Sequence, residues 1–96
     1  MIQVYSKRGR YPLNAIYVGK PSKWNNPFIL NKYTRFESLK RYIPYLKKCI
    51  ELGYLDLSEL EGQNLVCWCG NWKKGRPFIF CHAVVLMIMA NGWNEW

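Results

Sequence analysis

The longest apolar run in the chain spans residues 78–90, thirteen positions broken only by His82. A membrane-spanning helix needs about 20 such residues and a strand about 5 or 6, so the run reads as an element buried within the protein. Its length, and Gly92 just beyond it, predict a helix over residues 79–90. With 96 residues there is room for one domain with a thin core.

The rest of the chain supplies the partners of that helix. Ile2-Gln3-Val4-Tyr5 and Ala15-Ile16-Tyr17-Val18 are rich in strand formers and read as two strands; residues 64–69, Asn-Leu-Val-Cys-Trp-Cys, read as a third. Thr34 and Glu37 stand at capping-box spacing and predict a helix start. Phe36, Leu39, Ile43, Leu46 and Ile50 then follow at steps of 3 and 4, a single apolar stripe flanked by Lys40, Arg41, Lys47 and Lys48. Pro44 falls inside this pattern and predicts a kink or a break, and Gly53 ends it. Residues 55–60 read as a short helical turn. The expected fold is α/β, with α+β also compatible: a small three-stranded mixed sheet packed with two main helices.

Chemistry concentrates in Cys67-Trp68-Cys69 and Cys81-His82. Positions two apart on a strand share a face, so Cys67 and Cys69 can present both sulfurs to one place, while Cys81 and His82 enter from the first turn of the last helix. Three readings follow. Thiolates and an imidazole suit zinc, and a Cys67, Cys69, Cys81, His82 set could close a tetrahedral site. Against this, Cys-x-Cys is not the usual knuckle spacing, and adjacent residues on a helix diverge by about 100°. Alternatively, a helix N-terminus lowers a thiol pKa, which makes Cys81 beside His82 a candidate reactive pair. In the third reading the cysteines are small buried hydrophobes and His82 a satisfied core histidine. Cys49, on the basic helix, belongs with the last group. Disulfides are not expected in a chain whose N-terminus lacks the pattern of a secretory signal, a feature that also predicts a cytoplasmic protein.

Residues 19–28 are dense in turn formers and read as a binding loop. Here Lys20, Ser22 and Lys23 suit phosphate, while Trp24 or Asn26 suits a base; as packing alone, the segment is a proline-rigid turn with Trp24 and Phe28 plugging the core. Trp72, among Lys73, Lys74 and Arg76, is the exposed tryptophan expected to stack. Residues 1–48 hold 11 Lys and Arg against one acid, and residues 49–96 hold 3 against 5, so the net charge of +8 is strongly polarised. Such a field suits a polyanionic partner, nucleic acid, nucleotide or acidic protein, or else a solvated basic surface. No P-loop, dinucleotide fingerprint or His-Glu-x-x-His helix occurs.

Two segments together, Gly19-Lys20-Pro21-Ser22-Lys23-Trp24-Asn25-Asn26-Pro27-Phe28 and the Cys67-Trp68-Cys69 … Cys81-His82 cluster, resemble a bacterial, archaeal and phage family, domain of unknown function 4326. That family has a Gly-Arg-Pro … Gly-Asn-Pro-Phe loop and a Cys-x-Cys … Cys-His cluster. The order of segments agrees over nearly the whole chain. Lys20 stands where the family usually has Arg, and Asn25 where it has Gly. Val84 replaces an acid the family often carries two residues after its histidine, and the loop from Gly70 to Phe80 is longer than the usual connection. If that acid is catalytic in the family, this chain is a binder.

The expected function is a small basic protein, encoded by a virus or mobile element, that holds a nucleotide or nucleic acid between Lys20-Trp24-Asn26 and the Cys81/His82 helix end. The alternatives are an enzyme acting on a nucleotide or its derivative through Cys81 or His82, and an inhibitor that occupies a protein partner with its basic face. A membrane partner is not expected.

Overall fold

The computed structural model describes residues 2–28 and 32–93. Four short strands form one sheet: β1 (Gln3–Ser6), β2 (Ile16–Tyr17), β3 (Leu65–Cys67) and β4 (Trp72–Lys73). Their spatial order is β2-β3-β1-β4. β3 is parallel to both β1 and β2, with Val4 opposite Leu65 and Tyr17 opposite Val66, whereas β4 runs antiparallel to β1. The sheet is mixed, as expected, but has four strands rather than three. The addition is β4, within a segment whose glycines and charges read as loop, and β3 stops at Cys67 because Trp68 and Cys69 bend away.

Of the two helices, the second packs on one face of the sheet and the first packs against the second. α1 (Arg35–Glu51) begins with the capping box: Glu37 N–H donates to Thr34 Oγ1 at 3.1 Å, and Thr34 N–H donates to Glu37 Oε1 at 3.2 Å. It ends in a Schellman arrangement, with Gly53 N–H on Ile50 O and Tyr54 N–H on Cys49 O, made possible by the positive φ of Gly53. Pro44 sits within the helix without breaking it. Pro44 and Lys40 are both exposed, so water can reach the Lys40 carbonyl that lacks a proline N–H donor. The buried stripe is Ser38, Leu39, Tyr42 and Leu46 rather than the one expected from Phe36 onward. Phe36 is 56% exposed, its ring edge-on to Phe80.

α2 (His82–Asn91) begins later than the apolar run suggested. All of its residues from His82 to Ile88 are buried, as a helix that is apolar all round must be. It packs on β1, β3, α1 and a three-residue 3-10 turn (Leu57–Glu59). Val4, Leu65 and Cys67 join it in the core. Gln3 and Tyr5, alternating with Val4, lie on the other face. Among the described residues no helix is long and apolar enough to cross a membrane.

The capping box permits a direct check. Thr34→Ala leaves Glu37 N–H without its side-chain acceptor and should cost about 1 kcal/mol. Thermal denaturation should register a fall of several degrees in a domain of this size, and an unchanged melting temperature would show that the cap contributes nothing.

Candidate functional site

The Cys/His cluster is assembled where β3, the bend after it and the start of α2 meet. Cys81 Sγ lies 3.6 Å from Cys67 Sγ, Cys67 Sγ lies 3.8 Å from Cys69 Sγ, and His82 Nδ1 lies 3.9 Å from Cys67 Sγ. The ligand atoms of Cys67, Cys81 and His82 all fall within 4.8 Å of one another. Cys69 stands outside that triplet at the exposed rim, in reach through Cys67.

The local backbone explains how adjacent residues converge. Cys81 caps the helix in an extended conformation, φ −132° and ψ 135°, and only His82 is helical. The divergence of about 100° expected for two neighbours on a helix therefore does not apply. The bend after Cys67 likewise brings Cys69 back toward it.

His82 Nε2 lies 2.7 Å from the Val18 carbonyl oxygen. A carbonyl only accepts, so Nε2 carries the proton and Nδ1 turns a lone pair toward the sulfurs. Burial lowers the His82 pKa against the opposing pull of that hydrogen bond, which keeps the ring neutral. A neutral imidazole fixed through its second nitrogen by a backbone carbonyl is the arrangement in which histidine serves as a metal ligand.

The sulfurs differ in character. Hydrogen bonds from Cys67 and then Cys81 hold the Cys69 thiol well below its usual pKa, with Arg35 and His82 adding to the effect. The same bonds, together with burial, push Cys81 up, and the bond to Cys69 pushes Cys67 up. The lowered pKa expected at Cys81 from its helix end is thus not found. Cys81 is 2% exposed and acts as a donor toward its neighbours.

These residues form part of the wall of a cleft of about 490 Å³. Tyr17, Phe28, Trp68 and Phe80 give it aromatic surface, and Lys20 and Arg35 give it charge; among the described residues no Asp or Glu lines it. Trp68 is 52% exposed, and its indole N–H donates to Tyr17 Oη at 3.0 Å. Tyr17 in turn donates to the Lys20 carbonyl at 2.6 Å, tying strand, loop and tryptophan together. Gly19 makes that closeness possible: a Cβ there would lie 2.8 Å from Tyr17 Cζ. Gly19→Ala should displace the ring and destabilise the fold by about 1–3 kcal/mol in thermal melts; a wild-type melting temperature would refute the tight packing.

The structure divides the residues singled out in the 19–28 loop. Lys20 and Asn26 reach the cleft, but both ends of the Asn26 amide are engaged: Nδ2 donates to Ser38 Oγ at 2.8 Å, and Oδ1 accepts from Phe28 N–H at 2.9 Å. Ser38 Oγ donates onward to the Phe28 carbonyl, so Asn26 braces the loop against α1. Ser22, Lys23 and Trp24 lie outside the cleft lining. Ser22 Oγ accepts from Trp24 N–H, and Lys23 pairs with Glu59 at 2.8 Å. Trp24 is 3% exposed, its carbonyl accepting from Tyr42 Oη, so it plugs the core.

Trp72 is also buried rather than exposed. β4 turns its ring inward against Trp93, and its indole N–H donates to the Pro77 carbonyl at 3.2 Å. Among the described residues the exposed tryptophan is Trp68, whose place between two cysteines reads in the sequence as a mere spacer. A signal was available: if Cys67 and Cys69 turn to one site, the residue between them cannot also be core. Arg35 and Phe80 were missed as well, having been read as helix start and apolar run.

The chain belongs to the family described as Domain of unknown function (DUF4326), whose model matches residues 2–92. No curated protein and no solved structure gives a significant match to it.

Proposed function

We propose that this member of the family binds a nucleotide unit, free or as part of a nucleic acid, in the cleft between residues 19–28 and the start of α2, and that zinc held by Cys67, Cys69, Cys81 and His82 braces its wall. The observation that carries the reading is the cleft itself, which joins aromatic walls and two cations and, among the described residues, has no carboxylate in its lining.

Each part suits a part of the ligand. The exposed indole of Trp68, with Phe80 in the same lining, offers a base a stacking surface. Lys20 and Arg35 would meet phosphate, as would the N–H groups that the first turn of α2 leaves without intrahelical acceptors. Tyr17 positions Trp68 and Lys20 without itself needing to touch the ligand.

The metal assignment is supported by distance. Tetrahedral zinc with bonds to sulfur of about 2.3 Å separates its sulfurs by about 3.8 Å, close to the 3.6 and 3.8 Å found. Four protein ligands would fill the coordination shell, so the ion would serve structure rather than chemistry.

Thermal shift with a panel of mononucleotides tests the reading. A nucleotide at about 100 times its Kd should stabilise the fold by about 2.7 kcal/mol, a shift of several degrees. No shift with any nucleotide at millimolar concentration would remove the function.

A further inference from the structure

We infer that the ligand is a single-stranded nucleic acid, one base of which enters the cleft while the adjoining phosphates run over Arg8-Gly9-Arg10 to a second, cationic pocket on the outer face of the sheet. This rests on the nucleotide reading of the cleft and extends it.

The second pocket encloses about 380 Å³ and is lined by Gln3 and Tyr5 of β1, Asn71, an edge of the largely buried Trp72, and the cations Arg10, Lys73 and Arg76. It lies on the face away from α2, because Gln3 and Tyr5 alternate with the core residue Val4. Arg10, Lys73 and Arg76 are exposed; among the described residues no acid lines the pocket, and the salt bridges, Lys23 with Glu59 and Lys48 with Glu51, involve none of the three. An unneutralised set of this kind fits phosphate rather than a base.

The loop after β1 joins the two pockets. Arg8 places its guanidinium 5.9 Å from the ring centroid of Trp68, a wall of the first cleft, while Arg10 lines the second. The loop is held in place: Lys7 N–H donates to the Cys67 carbonyl at 2.9 Å, Arg8 N–H to Ser6 Oγ at 3.2 Å and Gly9 N–H to the Ser6 carbonyl at 3.1 Å. Two residues of chain span at most about 7 Å, a step within reach of successive phosphates on one strand. A duplex keeps its bases stacked and paired, and so could not put one into the cleft without flipping it.

The test compares a mononucleotide, a single-stranded tetranucleotide and a duplex of matching sequence, by calorimetry on the zinc-loaded protein. The tetranucleotide should bind at least about tenfold more tightly than the mononucleotide, with log Kd changing by about 0.7 per phosphate contact for each decade of salt. Arg10→Ala with Arg76→Ala, both exposed positions whose melting temperature should match wild type, should abolish that gain and leave the mononucleotide unaffected. Equal affinity for mono- and tetranucleotide, a double variant that keeps the gain, or a duplex bound as tightly as the single strand would overturn the inference while leaving the cleft reading intact. Absence of mononucleotide binding, with tetranucleotide affinity insensitive to Trp68→Ala, would instead overturn the cleft reading, and the inference with it.

Discussion

Protein purified without chelator should carry about one equivalent of zinc, and removing it should lower the melting temperature by more than about 15 °C. The size of the effect follows from linkage: structural zinc contributes about 10–16 kcal/mol of apparent binding free energy in small zinc domains. Even a third of that, about 4 kcal/mol, moves a domain of this length by about 15–30 °C. Cys81→Ser should lose the metal along with the stability, whereas Cys49→Ser, only partly buried and remote from the cluster in sequence, should keep about one equivalent. If the cysteines are packing alone, elemental analysis will find no stoichiometric metal, a chelator will change nothing, and Cys67→Ala will cost only what a small cavity costs, about 1–2 kcal/mol.

Trp68→Ala should weaken nucleotide binding by about 5- to 150-fold with little change in stability. Stacking a base on an aromatic ring contributes about 1–3 kcal/mol, and Trp68 is half exposed, so its removal leaves no core cavity. Trp24→Ala provides the contrast. Its ring is 3% exposed, and truncation should cost about 3–5 kcal/mol of folding free energy, like other large-to-small core changes. Calorimetry on the Trp68 variant, with its fold checked by melting, separates a ligand contact from a structural one. Undiminished affinity would take Trp68 out of the site.

Much of the fold was legible in the pattern of residues. The capping box at Thr34 and Glu37, the apolar run that becomes α2, and the three main strands follow from local rules, because each depends on neighbours close in sequence. β4 was not legible: its two residues become a strand only through pairing with Gln3 and Val4, far away in the chain. The apolar stripe of α1 was misplaced at its start for a similar reason. Whether Phe36 is buried depends on where the sheet ends, and Tyr42, with a hydroxyl that suggests solvent, is buried because the Trp24 carbonyl satisfies it.

The candidate site was half legible. Its residue types announced themselves, and the meeting of Lys20 with the Cys81/His82 end reflects the tendency of loops after parallel strands to gather at one edge of a sheet. Two conformational details decided the remainder. Cys81 adopts the extended geometry of an N-cap, which removes the angular objection to ligands adjacent in sequence. The chain also bends after Cys67, which leaves Trp68 exposed and Trp72 buried, the reverse of what the basic neighbours of Trp72 suggested. A composition argument cannot assign sides to two tryptophans four residues apart; that takes knowledge of which one pairs with β1.

The indole N–H signals in a nitrogen-15 correlation spectrum test the central claim most directly. Trp68 donates to Tyr17 Oη at the cleft wall, while Trp24 lies in the core and Trp72 donates to the Pro77 carbonyl on another side. Titration of a mononucleotide into the protein should shift the Trp68 indole signal and the amides of Lys20, His82 and Ala83, leaving the Trp24 and Trp72 indoles in place. A still Trp68 signal at saturating nucleotide, with the shifts falling elsewhere, would contradict the account.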